Sequence, residues 1–142
     1  MVSNEYITKE MQEKWFDEIN NELNYYFIGE YKNEKVGVIN IRNIIENSGE
    51  GAIYLASEKF EESSIVARMI LCFNDFVFDD LNLNFIFSHV KRDNKKAISS
   101  TIAQGGIVNE EKSTADYVYF TISRDNYKNK TKKIRKILNK IS

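Results

Sequence analysis

The spacing of hydrophobic positions changes several times along this chain. Over residues 8–22, Met11, Trp15, Phe16 and Ile19, with Leu23 just beyond, recur close to every 3.6 residues among Glu, Lys and Asp. That spacing predicts an amphipathic helix. Two runs rich in Tyr, Phe, Ile and Val follow at 24–31 and 35–43 and read as strands. Lys32, Asn33 and Glu34 between them have the length of a hairpin turn. In the second run Val36, Val38, Ile39 and Ile41 break strict alternation, as expected of a strand covered on both faces. Asn47, Ser48 and Gly49 read as a loop, and residues 51–57 (GAIYLAS) as a third strand.

The period then lengthens. Residues 65–81 predict a long apolar helix with Ser63 or Ser64 as its N-cap. Ile65, Met69, Cys72, Phe73, Phe76 and Leu81 are expected to face a core. A fourth strand is predicted at 85–90 (FIFSHV). A short helix follows at 95–104, stopped by Gly105 and Gly106. The last strands are expected at 107–110 and 116–123. In the final helix Ile134, Ile137, Leu138 and Ile141 fall at i, i+3, i+4 and i+7. The segments 51–57, 65–81 and 85–90 make a strand–helix–strand unit, which should be parallel and right-handed. With hairpins on either side, the expected class is α/β with a mixed central sheet. The 142 residues fit one domain: an N-terminal helix over 1–23, a sheet core over 24–127 and a C-terminal helix over 128–142.

Apolar residues make up 42% and charged residues 29%, which excludes a disordered or collagen-like chain. One Cys cannot form an internal disulfide. One Cys and one His are too few for a structural zinc site, so no metal is expected. Cys72, in mid-helix, reads as packing. No apolar run approaches the ~20 residues that span a bilayer, and the N-terminus has no secretory signal pattern. The expectation is a cytoplasmic protein with no membrane partner. Charge is unevenly spread. The seven basic residues Lys128, Lys130, Lys132, Lys133, Arg135, Lys136 and Lys140 close the chain with no acidic residue among them, leaving −8 on the other 127 residues. A nucleic-acid partner is not expected, because the apolar period already accounts for this segment as the solvated face of a helix.

The stretch Asp80–Leu81–Asn82–Leu83–Asn84–Phe85 to Val90, then Arg92–Asp93–Asn94–Lys95–Lys96–Ala97–Ile98, resembles the GCN5-related N-acetyltransferase superfamily. The order of elements around it matches as well. Within that superfamily the chain is most similar to acetyltransferases of nucleotide-linked amino sugars. The resemblance implies an acyl-CoA N-acyltransferase fold and acetyl-CoA as co-substrate. It also implies N-acetyl transfer to a small amine, with an amino sugar as one candidate. In such a fold two parallel strands splay apart and the cofactor arm lies in the gap. By that resemblance the backbone of Leu55, Ala56 and Ser57 would hold the pantetheine and thioester. Glu62, Ser63, Ser64 and Ile65, at the start of the long helix, would hold the pyrophosphate. Asn94 and Ala97 would contact the arm, although Asn94 is equally placed as a simple N-cap. His89, beside the gap, is a candidate general base, or else a strand histidine. Tyr54, across from it, is a second proton acceptor, or else core packing.

The chain also departs from the family pattern. The usual (Arg/Gln)-x-x-Gly-x-(Gly/Ala) loop is represented by Glu61, Ser64 and Val66. Thr101 stands where the family's Tyr protonates the leaving thiolate. The family's first strand and helix have no counterpart here, which leaves 24–31 as an expected free edge for a homodimer. The alternative reading is therefore a catalytically inactive interaction or dimerisation module on the same fold.

Overall fold

The computed structural model describes residues 23–60 and 64–140. The predicted helix over 8–22, together with Glu61, Glu62, Ser63 and Ile141, lies outside them. The described chain forms β1 (Tyr25–Tyr31), β2 (Glu34–Ile45) and β3 (Ser48–Leu55), then a 3-10 turn (Glu58–Phe60) and α1 (Ser64–Asp75). A π turn (Phe76–Asp80), β4 (Phe85–Lys91), α2 (Lys95–Ala103), β5 (Gly106–Val108), β6 (Tyr117–Ser123) and α3 (Arg124–Lys140) complete it. The six strands make one mixed sheet in the order β1-β2-β3-β4-β6-β5. Every neighbouring pair is antiparallel except β3 and β4.

Both hairpins are tighter than the sequence predicts. Tyr31 pairs with Glu34, so only Lys32 and Asn33 turn, both at positive φ (50° and 65°). That backbone matches the twist of the flanking strands. The predicted loop at 47–49 is instead the start of β3, since Ile45 pairs with Ser48. Asn43 (φ 52°) and Glu46 (φ 56°) absorb the reversal, beside a register shift between Arg42 and Ile45. β1 is one of the two edge strands among the described residues and leaves Phe27, Ile28 and Tyr31 exposed.

The long helix is shorter than its apolar run. After Asp75 the chain widens into the π turn, marked by the Leu81 amide donating to the Phe76 carbonyl at 3.0 Å. The extra residue turns both Val77 and Phe78 fully inward. Ile39 and Ile41 of β2, Ile86 of β4 and Ile122 of β6 form the sheet side of the core. Edge-on contacts Phe27–Phe73 (5.2 Å) and Tyr25–Phe76 (5.5 Å) extend it to β1. Cys72, expected in the core, is exposed. The reason is that α1 is covered on a different second side, where α3 lies.

α3 begins at Arg124, directly after β6, rather than at 128. This brings Tyr127 into the core with no exposed surface. Its hydroxyl lies 3.0 Å from the Leu71 carbonyl and 2.9 Å from Asp75 Oδ1. Arg135 grips the same carboxylate with two bonds, of 2.8 and 2.6 Å. Burial disfavours the charged form of Asp75, but hydrogen bonds from Arg135 and Tyr127 and the nearby positive charges outweigh it. The carboxyl is therefore held below its ordinary value of 3.8. Burial, and then the Asp75 charge, push the Tyr127 phenol well above its usual range. This clamp ties the basic helix to α1.

Replacing Tyr127 by Phe removes the hydroxyl but keeps the ring against Phe78 (5.1 Å). A loss of about 1–3 kcal/mol in urea unfolding is expected, because buried acceptors are left unpaired. A folded-state carboxyl pKa below the unfolded one stabilises above about pH 4, and that stability is lost as the pH falls through the depressed value. Asp75→Asn should therefore be less stable at neutral pH and show a shallower acid limb, measured by denaturant unfolding between pH 2 and 7.

Candidate functional site

β3 and β4 are hydrogen-bonded neighbours only at their first residues, through Ser48–Phe85, Gly49–Ile86 and Glu50–Phe87. Beyond these, β3 stays with β2 as far as Leu55, and β4 stays with β6 as far as Lys91. The two parallel strands therefore fork. Gly51 sits where they part. A Cβ there would lie 2.8 Å from Ile86 Cγ2, so glycine lets the strands meet closely at the apex before they separate. The apex is stapled from outside. The Asn84 amide donates to the Asn47 carbonyl at 2.7 Å, and Arg124 donates through Nη2 to the Leu83 carbonyl (2.7 Å) and Asn82 Oδ1 (2.9 Å).

The fork decides which amides are free. The Ala56 amide donates to the Val36 carbonyl at 2.8 Å. Donors alternate sides along an antiparallel ladder, so the N–H groups of Ala52, Tyr54 and Ala56 point to β2. Those of Gly51, Ile53 and Leu55 face β4; the Gly51 amide closes the last rung, Glu50–Phe87, and those of Ile53 and Leu55 point into the gap. Of the three expected cofactor-holding residues, Leu55 thus presents a free amide and Ala56 does not. Ser57 turns its hydroxyl to the Lys59 amide at 3.4 Å. Ile53, which the sequence reading passed over, belongs with Leu55.

A cavity of about 350 Å³ fills the gap. On one face it is closed by Ile70, Phe73 and Asn74 of α1 and by Ala97, Thr101 and Gln104, on and just after α2. Asn74 Nδ2 donates to Gln104 Oε1 at 2.7 Å and joins the two helices there. Asn40, Arg42, Tyr54 and His89 line it as well. Their strand positions alternate with Ile39, Ile41, Ile53 and Ile86 of the core side, which places them on the opposite face of the sheet.

Tyr54, His89, Asn94 and Ala97 are all brought to this cavity. Tyr54 is 63% exposed, so the core-packing reading of it is wrong. His89 is exposed, stacked on Tyr119 (5.2 Å, 26°) and edge-on to Tyr117 (5.2 Å). Asn94 caps α2, its Oδ1 accepting from the Ala97 amide at 3.2 Å. Thr101 is buried, and its hydroxyl donates to the Ala97 carbonyl at 2.8 Å. Ser64 and Ile65 open α1 but line a different groove, between α1 and β1, together with Met69 and Cys72. The predicted phosphate cradle is therefore not part of this cavity, and Glu62 and Ser63 of that cradle lie outside the described residues. Asn40 and Arg42 were not anticipated. The signal available was a polar residue, Asn40, set between Ile39 and Ile41 in an otherwise apolar run.

Solved structures share this architecture. Spermidine N-acetyltransferase SpeG from Vibrio cholerae, as the F149A mutant, superposes with a TM-score of 0.69 at 21% identity, over 87% of this chain and 79% of that one. Campylobacter jejuni N-acetyltransferase PseH in complex with acetyl coenzyme A gives 0.65 at 18% identity, over 82% and 79%. The chain has the GCN5-related N-acetyltransferase fold. No family model matches the sequence, and no curated protein matches it. Among the described residues no helix is long and apolar enough to cross a membrane.

As a cap, Asn94 has a defined worth. Asn94→Ala should cost about 1 kcal/mol, whereas Asn94→Asp, which keeps the accepting oxygen, should cost far less. Thermal unfolding of both variants checks this.

Proposed function

We propose that the protein transfers an acetyl group from acetyl-CoA to the nitrogen of a small amine, an amino sugar rather than a polyamine. The forked β3–β4 pair carries this reading, because beyond its last rung it leaves the amides of Ile53 and Leu55 without a strand partner, that of Ile53 on the wall of a cavity. Acetyl-CoA, when bound, supplies the acetyl group as an activated thioester. The amides of Ile53 and Leu55 are suited to donate to carbonyl oxygens of its extended arm, as a neighbouring strand would accept from them. Ala97 keeps the α2 wall low and Asn94 fixes where that helix begins. Ser64 and Ile65, at the start of α1 and outside the cavity, would offer a hydroxyl and the positive end of the helix to phosphate groups that extend beyond it. His89 is positioned to take the proton that the amine nitrogen loses, with Tyr54 beside the cavity as a second acceptor.

The acceptor class follows from charge. None of the described residues lining the cavity is Asp or Glu, while Arg42 and Lys91 are basic. A polyamine would bring several ammonium groups with no counter-charge, at about 1–4 kcal/mol for each like-charge pair near 4 Å. An amino sugar brings one amine among hydroxyls, which Asn, Ser, Tyr and Arg can bond. The second reading, a non-catalytic interaction module, draws support from Thr101, whose hydroxyl is already committed to the backbone.

Calorimetric titration should give heat with acetyl-CoA. Ala97→Trp, which fills the cavity, should abolish that heat while leaving the unfolding temperature nearly unchanged. Acetylation of D-glucosamine should exceed that of spermidine at equal concentration. A wild-type protein with neither heat nor thermal shift from acetyl-CoA would leave the module reading standing alone.

A further inference from the structure

Asn40 and Arg42 sit two residues apart on β2, about 7 Å along the strand, on the face away from α1. Both line the cavity between β3 and β4. Asn40 is 2% exposed, and its Oδ1 has no hydrogen-bond partner among the described residues. The Nε of Arg42 is buried and equally without a partner among them. The outer end of Arg42 is engaged. Its Nη2 lies 3.9 Å from Glu50 Oε2, and that oxygen also accepts from Asn43 Nδ2 at 3.3 Å. The charge is thus offset outside the cavity, while a directional donor remains unused inside.

Buried polar atoms almost always find partners. One orphan acceptor and one orphan donor, neighbours on one strand face and lining one cavity, are the complement of a ligand. An aliphatic residue at position 40, like its neighbours Ile39 and Ile41, would avoid the desolvation that Asn40 incurs.

We infer that Asn40 and Arg42 form the two-point anchor for the amine substrate. Asn40 Oδ1 accepts an N–H or O–H, and Arg42 Nε donates to an oxygen. This rests on the transferase reading for the cavity's use, and it sharpens the substrate class to an amine flanked by hydroxyl groups. A polyamine, which offers donors only, satisfies Asn40 and leaves Nε unpaired.

The test uses D-glucosamine and spermidine as probes with the wild type, Asn40→Leu and Arg42→Lys. Each variant should raise the KM for glucosamine about tenfold, the size of one lost hydrogen bond, and leave acetyl-CoA binding unchanged. Asn40→Leu should keep or raise the unfolding temperature, which a merely structural asparagine would not do. A glucosamine KM within about twofold of wild type in both variants would overturn the inference while leaving the transferase reading intact. The side-chain Nε–H resonance of Arg42 gives an answer independent of catalysis. It should shift on titrating glucosamine into the wild type and stay still in Asn40→Leu. If acetyl-CoA fails to bind but that shift occurs, the transferase reading falls and the anchor stands; if glucosamine moves nothing, the anchor falls.

Discussion

The site depends on a competition between hydrogen-bonding partners. β3 and β4 each have a long antiparallel neighbour on the outer side and only three residue pairs in common with each other. Antiparallel pairing is somewhat stronger per residue than parallel pairing, and sheet twist rotates successive strands apart. The two strands therefore follow their outer partners and separate. Gly51 lets them begin in contact, and the Asn47–Asn84–Arg124 bonds hold that contact. The free amides of Ile53 and Leu55 are the by-product of this arrangement. They are affordable only where a ligand or water can meet them.

The helical layer completes what the sheet leaves open. α1 is apolar on two sides because it lies between the sheet and α3, and the Tyr127–Asp75–Arg135 clamp orients it there. α2 closes the same face of the gap and is joined to α1 by the Asn74–Gln104 amide bond. The lysines of α3 are consistent with this role, since its buried residues Tyr127, Thr131 and Leu138 account for its packing.

Elements with strong periodicity were legible from the sequence. The strand–helix–strand unit, its parallel sense and the flanking hairpins came from apolar spacing alone. What escaped had local physical causes. Asn43 and Glu46 adopt left-handed backbone that residue type only weakly signals, so β2 and β3 were read too short. The π turn hides within an uninterrupted apolar run. Cys72 and Tyr54 could be placed only by knowing which faces the neighbouring elements cover. Which amides point into the gap is a matter of register parity, and no composition reveals it. Ser64 and Ile65 were assigned to the phosphates by resemblance; that they line the groove between α1 and β1 depends on packing that no spacing reveals.

The short seam between β3 and β4 has a mechanical consequence. The sheet amounts to two ribbons, β1–β3 and β4–β6–β5, sewn together at one end. Beyond the seam each ribbon is free to follow its own twist, and Ile70 and Phe73 of α1 border the opening that results. A hinge of three residue pairs at one end leaves the far end of the slot the easier one to widen.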